Sequence, residues 1–83
     1  MSDLQMQCWL IPFGISDLKS ASDYELNDAL AGLTRRLGID QSSLAYSIES
    51  NSSTAYLLGR MSLIEDIARV ISACLREMKE RGL

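Results

Sequence analysis

Residues 55–81 read AYLLGRMSLIEDIARVISACLREMKER. Leu57, Met61, Ile64, Ala68, Ile71, Leu75 and Met78 recur there at alternating steps of four and three, which lines all seven along one stripe of a helix. If continuous, the helix has 27 residues and spans roughly 40 Å at 1.5 Å per residue. Leu63, Ile67, Val70 and Cys74 widen the apolar arc to nearly half the circumference. Gly59 and a capping-box pattern at Ser62–Glu65 mark a place where the helix would break or bend. An arc so wide calls for two neighbouring helices, and the rest of the chain offers only one in strength.

That one lies upstream. Ser22-Asp23-Tyr24-Glu25 has the form of a capping box, and Leu26, Ala29, Leu30, Leu33 and Leu37 follow at helical spacing. The expected helix runs over 22–37, with Gly38 as the left-handed residue closing it. Asp40 then caps a shorter helix over 41–49 whose inner face is Leu44, Ala45 and Ile48. A strand over Leu44–Ile48 competes in that short, serine-rich window. Residues 49–53, Glu-Ser-Asn-Ser-Ser, form a loop by composition.

At the other end, Leu4, Met6, Cys8 and Leu10 alternate with Gln5, Gln7 and Trp9, the period of a strand with one apolar face. Pro12 and Gly14 stop it, so residues 1–14 read as an extended strand or arm. A lone strand leaves backbone donors and acceptors unpaired. It would pair with a second copy, pair with a partner protein, or lie across the helices. The expected fold is thus a single, mainly α domain of three helices (22–37, 41–49 and 55–81) with an N-terminal strand.

Eighty-three residues fill one core only. No apolar run approaches the length of a membrane span, and no basic region precedes an apolar block at the N-terminus, so the chain reads as cytoplasmic and unattached to membrane. Residues 1–59 carry three bases against seven acids and residues 60–83 five against four, for a net charge of −3. An acidic chain repels phosphate backbones, which makes nucleic acid an unsuitable partner. Cys8 and Cys74 lack the spacing of a zinc site and read as reduced thiols; a Cys8–Cys74 bridge would need an oxidising compartment.

The sequence contains no histidine, which removes the commonest general base. Its glycines form no phosphate-binding loop, and Glu65 and Asp66, adjacent on a helix, point about 100° apart. No catalytic, cofactor-binding or metal-binding residues are expected. One nucleic-acid pattern stands out: Gln41 to Ala45, Ile48 and Ser52 to Thr54 share the spacing of a helix–turn–helix. Its recognition helix, however, would offer only Thr54, Tyr56 and Arg60 to base edges.

What remains is protein association. Ile64, Ile67, Ile71, Cys74, Leu75 and Met78 are the expected self-association residues of a homodimer. Trp9 and Phe13, in the one stretch without an intramolecular partner, are the expected anchors for another protein, with Asp23, Glu25 and Asp28 as an acidic auxiliary. The sequence therefore points to a non-enzymatic regulator, an inhibitor, adaptor or anti-activator of the sort mobile elements encode. A small helix–turn–helix DNA-binding regulator is the alternative.

Overall fold

The computed structural model describes residues 3–83, with side chains from residue 5 onward. Three α-helices form, α1 (Asp3–Leu10), α2 (Asp23–Glu49) and α3 (Thr54–Glu80), with single 3₁₀ turns at Ile11–Phe13 and Leu18–Ser20. Helices α2 and α3 run antiparallel as a hairpin, and the molecule measures 44 × 21 × 20 Å.

The hairpin is better specified than the sequence suggests. At the start of α2 the Ser22 hydroxyl accepts from the Glu25 amide at 3.0 Å, and the Glu25 carboxylate accepts from the Ser22 amide at 2.8 Å. The expected capping box is therefore formed. The expected end at Gly38 is not: α2 runs through it to Glu49, merging the helices expected at 22–37 and 41–49 into one. A single interior glycine costs about 1 kcal/mol, too little to break a helix packed along its whole length. Asp40, read as the cap of a second helix, lies inside α2 and is 4% exposed.

Four residues, Ser50 to Ser53, connect the helices. Asn51 takes the left-handed conformation with φ 59°, a region asparagine tolerates better than most side chains. Ser53 caps α3 by accepting from the Tyr56 amide at 3.2 Å. Beyond it, α3 passes Gly59 and Ser62 without interruption, as one helix of 27 residues.

The N-terminal strand is the main correction. Residues Asp3–Leu10 are helical, and no strand occurs among the described residues. The side chain of Leu4, one of the expected strand positions, lies outside the described set, as do Met1 and Ser2. In a window this short, Met6, Trp9, Leu10 and Phe13 also satisfy the i, i+3, i+4, i+7 spacing of a helix, so the two periods compete. Helix wins because it pairs the backbone internally, where a lone strand finds no neighbour.

The core sits at one end of the hairpin, called the root here. Leu10 and Ile15 pack there with Ala21, Leu26, Ala29 and Leu33 of the middle of the chain and Ile67, Val70 and Cys74 of α3. All nine are buried. Helix α1 and the first 3₁₀ turn cover one flank of this core, with the Phe13 ring lying where a β-carbon on Gly32 would stand.

Candidate interaction surface

Which α2 and α3 positions the core consumes decides what the hairpin leaves exposed. Along α3 the buried positions are Ile64, Ile67, Val70, Cys74 and Glu77. The stripe from Leu57 to Met78 therefore lies on one flank of this line rather than along it. Ile64 belongs to both. Of the expected self-association set, Ile67 and Cys74 are fully buried against the chain's own core, and Ile64 is 7% exposed. Ile71 and Met78 are half-buried against it. Leu75 alone is fully open, at 49%.

On α2 the same division appears. Leu26, Leu33, Asp40 and Ser47 face α3, while Leu30, Leu37 and Leu44 stand half-buried on one flank with Ile48 exposed beyond them. Gly32 and Arg36 stand on the other flank, where Phe13 and Trp9 lie. On the first of these flanks Ile48, Ala68 and Leu75 are exposed, while Leu37, Ile71 and Met78 pack against the core.

Toward the turn, the seam between α2 and α3 becomes polar. Asp40 accepts from Arg36 Nε at 3.0 Å and sits 3.9 Å from Arg60 Nη2. Arg60 also donates to the Ser43 hydroxyl, and its guanidinium lies 5.9 Å from the Tyr56 ring centre. Arg60 Nε is buried without a hydrogen-bond partner. A buried pair of this kind contributes little net stability.

The tip carries few free charges. Residues 37–64 hold only Asp40, Glu49 and Arg60 as charged side chains, and two of these face each other in the seam. Among the ten large apolar side chains that are exposed in the described residues, six fall there: Ile39, Tyr46, Ile48, Tyr56, Leu58 and Met61. A surface depleted of charge and enriched in aromatic and aliphatic side chains has the composition of an interface centre.

The expected partner anchors are placed differently. Trp9 is half-buried beneath the Arg36 guanidinium, 5.7 Å from its ring centre, and Phe13 closes against Gly32. Both line a cleft of about 270 Å³ with Pro12 and Leu33. Of the acidic group, Asp23 is held by Arg81 at 3.0 Å and Glu25 by the capping box, leaving Asp28 exposed on α2. The structure therefore assembles no common docking site from these five. Tyr46 and Leu58 were missed because they follow no periodic pattern of their own, while Ala45 and Ile48, expected on an inner face with Leu44, are exposed because Ser47 takes the position against α3; the low charge of residues 37–64 was the available signal.

At the root, Glu77 is 9% exposed and binds both Lys19, at 3.3 Å, and Arg81, at 3.2 Å. Lys19 also pairs with Glu80 at 2.8 Å, which holds the lysine above its ordinary pKa and Glu80 below the usual carboxylate value. These groups join the second 3₁₀ turn to α3. They belong to the fold. On the outer face of α3, Glu65 and Arg69 pair at 3.9 Å.

Among the described residues no helix is long and apolar enough to cross a membrane, and no three metal-ligating side chains cluster. Compared with known protein families, curated proteins and solved structures, the chain matches none of them.

Proposed function

We propose that this chain is a non-enzymatic regulator that acts by binding another protein, and that it does so as a homodimer. The observation that carries the reading is the tip of the α2–α3 hairpin. Ile39, Tyr46, Tyr56 and Leu58 ring it, with exposures of 49–72%, and almost no charge separates them. A protruding helical end with apolar side chains all round suits insertion into a partner's cleft, where tyrosine and leucine supply anchors at low entropic cost. Small size and acidity are what support the narrower reading as an inhibitor, adaptor or anti-activator of mobile-element type.

The DNA-binding alternative draws no support from the geometry. A helix–turn–helix sets its two helices at roughly 90–120°, whereas α2 and α3 pack side by side. Arg60, the one base on the would-be recognition helix, is turned into the seam against Asp40 and Ser43.

The test is co-purification from the native host with wild-type protein and with a Tyr46→Ala/Leu58→Ser variant. Both side chains are largely exposed, at 72% and 65%, so the variant keeps its fold. A protein retained by the wild type and lost from the variant supports the reading. Equal retention by both removes the tip from it.

A further inference from the structure

The cleft of about 270 Å³ that α1 and the first 3₁₀ turn leave against α2 has the chemistry of a ligand site. Trp9, Pro12, Phe13 and Leu33 make its lining apolar, and Cys8 and Arg36 are the polar residues among it. Gly32 brings no side chain into it, and the Phe13 ring lies over that position. Small-molecule sites combine an apolar lining with a few placed polar groups in this way.

Arg36 is what names the ligand. Its Nε donates to Asp40 at 3.0 Å, and Asp40 is 4% exposed. Its guanidinium also lies 5.7 Å from the Trp9 ring centre. These two contacts orient the group, and neither occupies its two terminal nitrogens, which bond to nothing among the described residues. Negative charge is short at the same place. Asp40 is shared with Arg60, 3.9 Å away, so one carboxylate faces two guanidinium groups. An arginine held through Nε with its terminal fork open is a receptor for a second carboxylate, which it can bind bidentately. The aromatic lining beside it suits a planar apolar body, which stacks on Trp9 or packs edge-on against Phe13. A bare anion would leave those walls wet. A whole helix, about 10–12 Å across, is too wide for the cleft.

We infer that this cleft binds a small carboxylic acid with an aromatic body, its carboxylate in the Arg36 fork and its ring against Trp9 and Phe13. Such a site is separate from the tip of the hairpin and independent of the protein-binding reading. Bound there, the acid would bridge α1 to α2.

Trp9 is the only tryptophan of the chain and reports occupancy by its fluorescence. Titration with 3-phenylpropanoate should give a saturable change with half-saturation at about 1 mM or below, as expected of a ligand of about eleven non-hydrogen atoms. Its neutral amide should bind at least about tenfold more weakly, and acetate should have no effect. Arg36→Lys keeps a charge beside Asp40 without the fork and should weaken binding about tenfold, with unchanged helical circular dichroism. Arg35→Gln, exposed and outside the lining, should bind like the wild type. In the wild type, saturating acid should slow labelling of the exposed Cys8 severalfold. No saturation by about 10 mM overturns the inference. So does an amide that binds as tightly, an Arg36→Lys protein as good as the wild type, or acetate that acts equally, which would mean an adventitious anion only. Unchanged Cys8 labelling at saturation, or loss of binding in the Tyr46→Ala/Leu58→Ser variant, would place the acid elsewhere and overturn it as well.

Discussion

The Arg81 guanidinium donates to the carbonyl oxygen of Leu18 at 2.9 Å, across a sequence separation of 63 residues. The same side chain reaches Lys19 O at 3.2 Å, Asp23 at 3.0 Å and Glu77 at 3.2 Å. One planar donor thus ties the second 3₁₀ turn, the start of α2 and the end of α3. Arg81→Ala should lower the thermal midpoint by several degrees. Arg81→Lys should recover little of it, because an ammonium cannot serve carbonyls and carboxylates in a fork. Thermal melts followed at 222 nm decide this; a lysine variant as stable as the wild type would show that charge alone suffices.

Asp40 and Arg60 should behave as a coupled pair. Asp40→Leu alone leaves Arg60 partly buried beside an apolar group, and Arg60→Met alone strips a buried carboxylate of one of its two cations. Each should destabilise by roughly 2–3 kcal/mol, and the double replacement by less than either, because matched apolar groups replace a buried pair at little net cost. Urea unfolding of the four proteins in the cycle gives the coupling. Strict additivity would mean the 3.9 Å approach carries no energy.

Three glycines inside helices should respond with opposite signs. A β-carbon at Gly38 or Gly59 meets nothing within 4 Å, so Gly38→Ala and Gly59→Ala should each stabilise by about 0.5–1 kcal/mol through helix propensity. At Gly32 the new carbon would stand 2.5 Å from the Phe13 ring. Gly32→Ala should therefore displace that ring and destabilise by about 1–2 kcal/mol despite the same propensity gain. The near-ultraviolet signal of the neighbouring Trp9 should change only in the Gly32 variant.

The two thiols should differ in reactivity and in their dependence on pH. Cys8 is exposed, whereas Cys74 is buried, and burial raises its pKa. A thiol reagent should label Cys8 at once and Cys74 only as fast as the chain unfolds. Because the folded thiol holds its proton more tightly than the unfolded one, stability should be full below the ordinary thiol pKa and fall as pH rises through it. The Lys19–Glu80 pair acts at the acid end: Glu80 is held low, so its small contribution is present above the ordinary carboxylate pKa and disappears as pH falls below it. Cys74→Ala should remove the alkaline slope, and unchanged alkaline stability in that variant relative to wild type would reject the assignment.

How much of this was legible in the chain depends on which interactions were local. The Ser22–Glu25 capping box spans three residues and was readable outright. So was the amphipathic character of α3, whose seven-residue stripe needs no tertiary knowledge. The direction of that stripe was not readable. Ile67 and Cys74 pointed to a partner because the apolar arc of α3 is wider than one helix covers; in the structure Leu10 and Ile15 join Leu26, Ala29 and Leu33 of α2 around them, and they are core. The continuation of α2 past Gly38 depends on Leu33, Asp40 and Ser47 keeping the seam across the glycine, and a buried aspartate paired with Arg36 and Arg60 does not look apolar in a sequence. Trp9 and Phe13 were misplaced for a similar reason. Seven residues of alternating pattern, Leu4 to Leu10, fit strand and helix alike, and the Phe13 ring that follows them packs against Gly32, a contact no local pattern announces.

The Asn51 turn has a kinetic consequence. Closing a four-residue connection between two helices costs little chain entropy, so the contacts nearest the tip are the ones the unfolded chain samples most readily. Yet the nine buried core residues include none between 34 and 66, and the Leu18–Arg81 contact can form only when nearly the whole chain is in place. The easiest loop to close and the contacts that reward closure therefore lie at opposite ends of the rod. A hairpin nucleated at Asn51 gains the Asp40–Arg60 seam and Ile64 early but most of its buried apolar surface only on docking at the root, so its folding rate should be sensitive to substitutions at the turn.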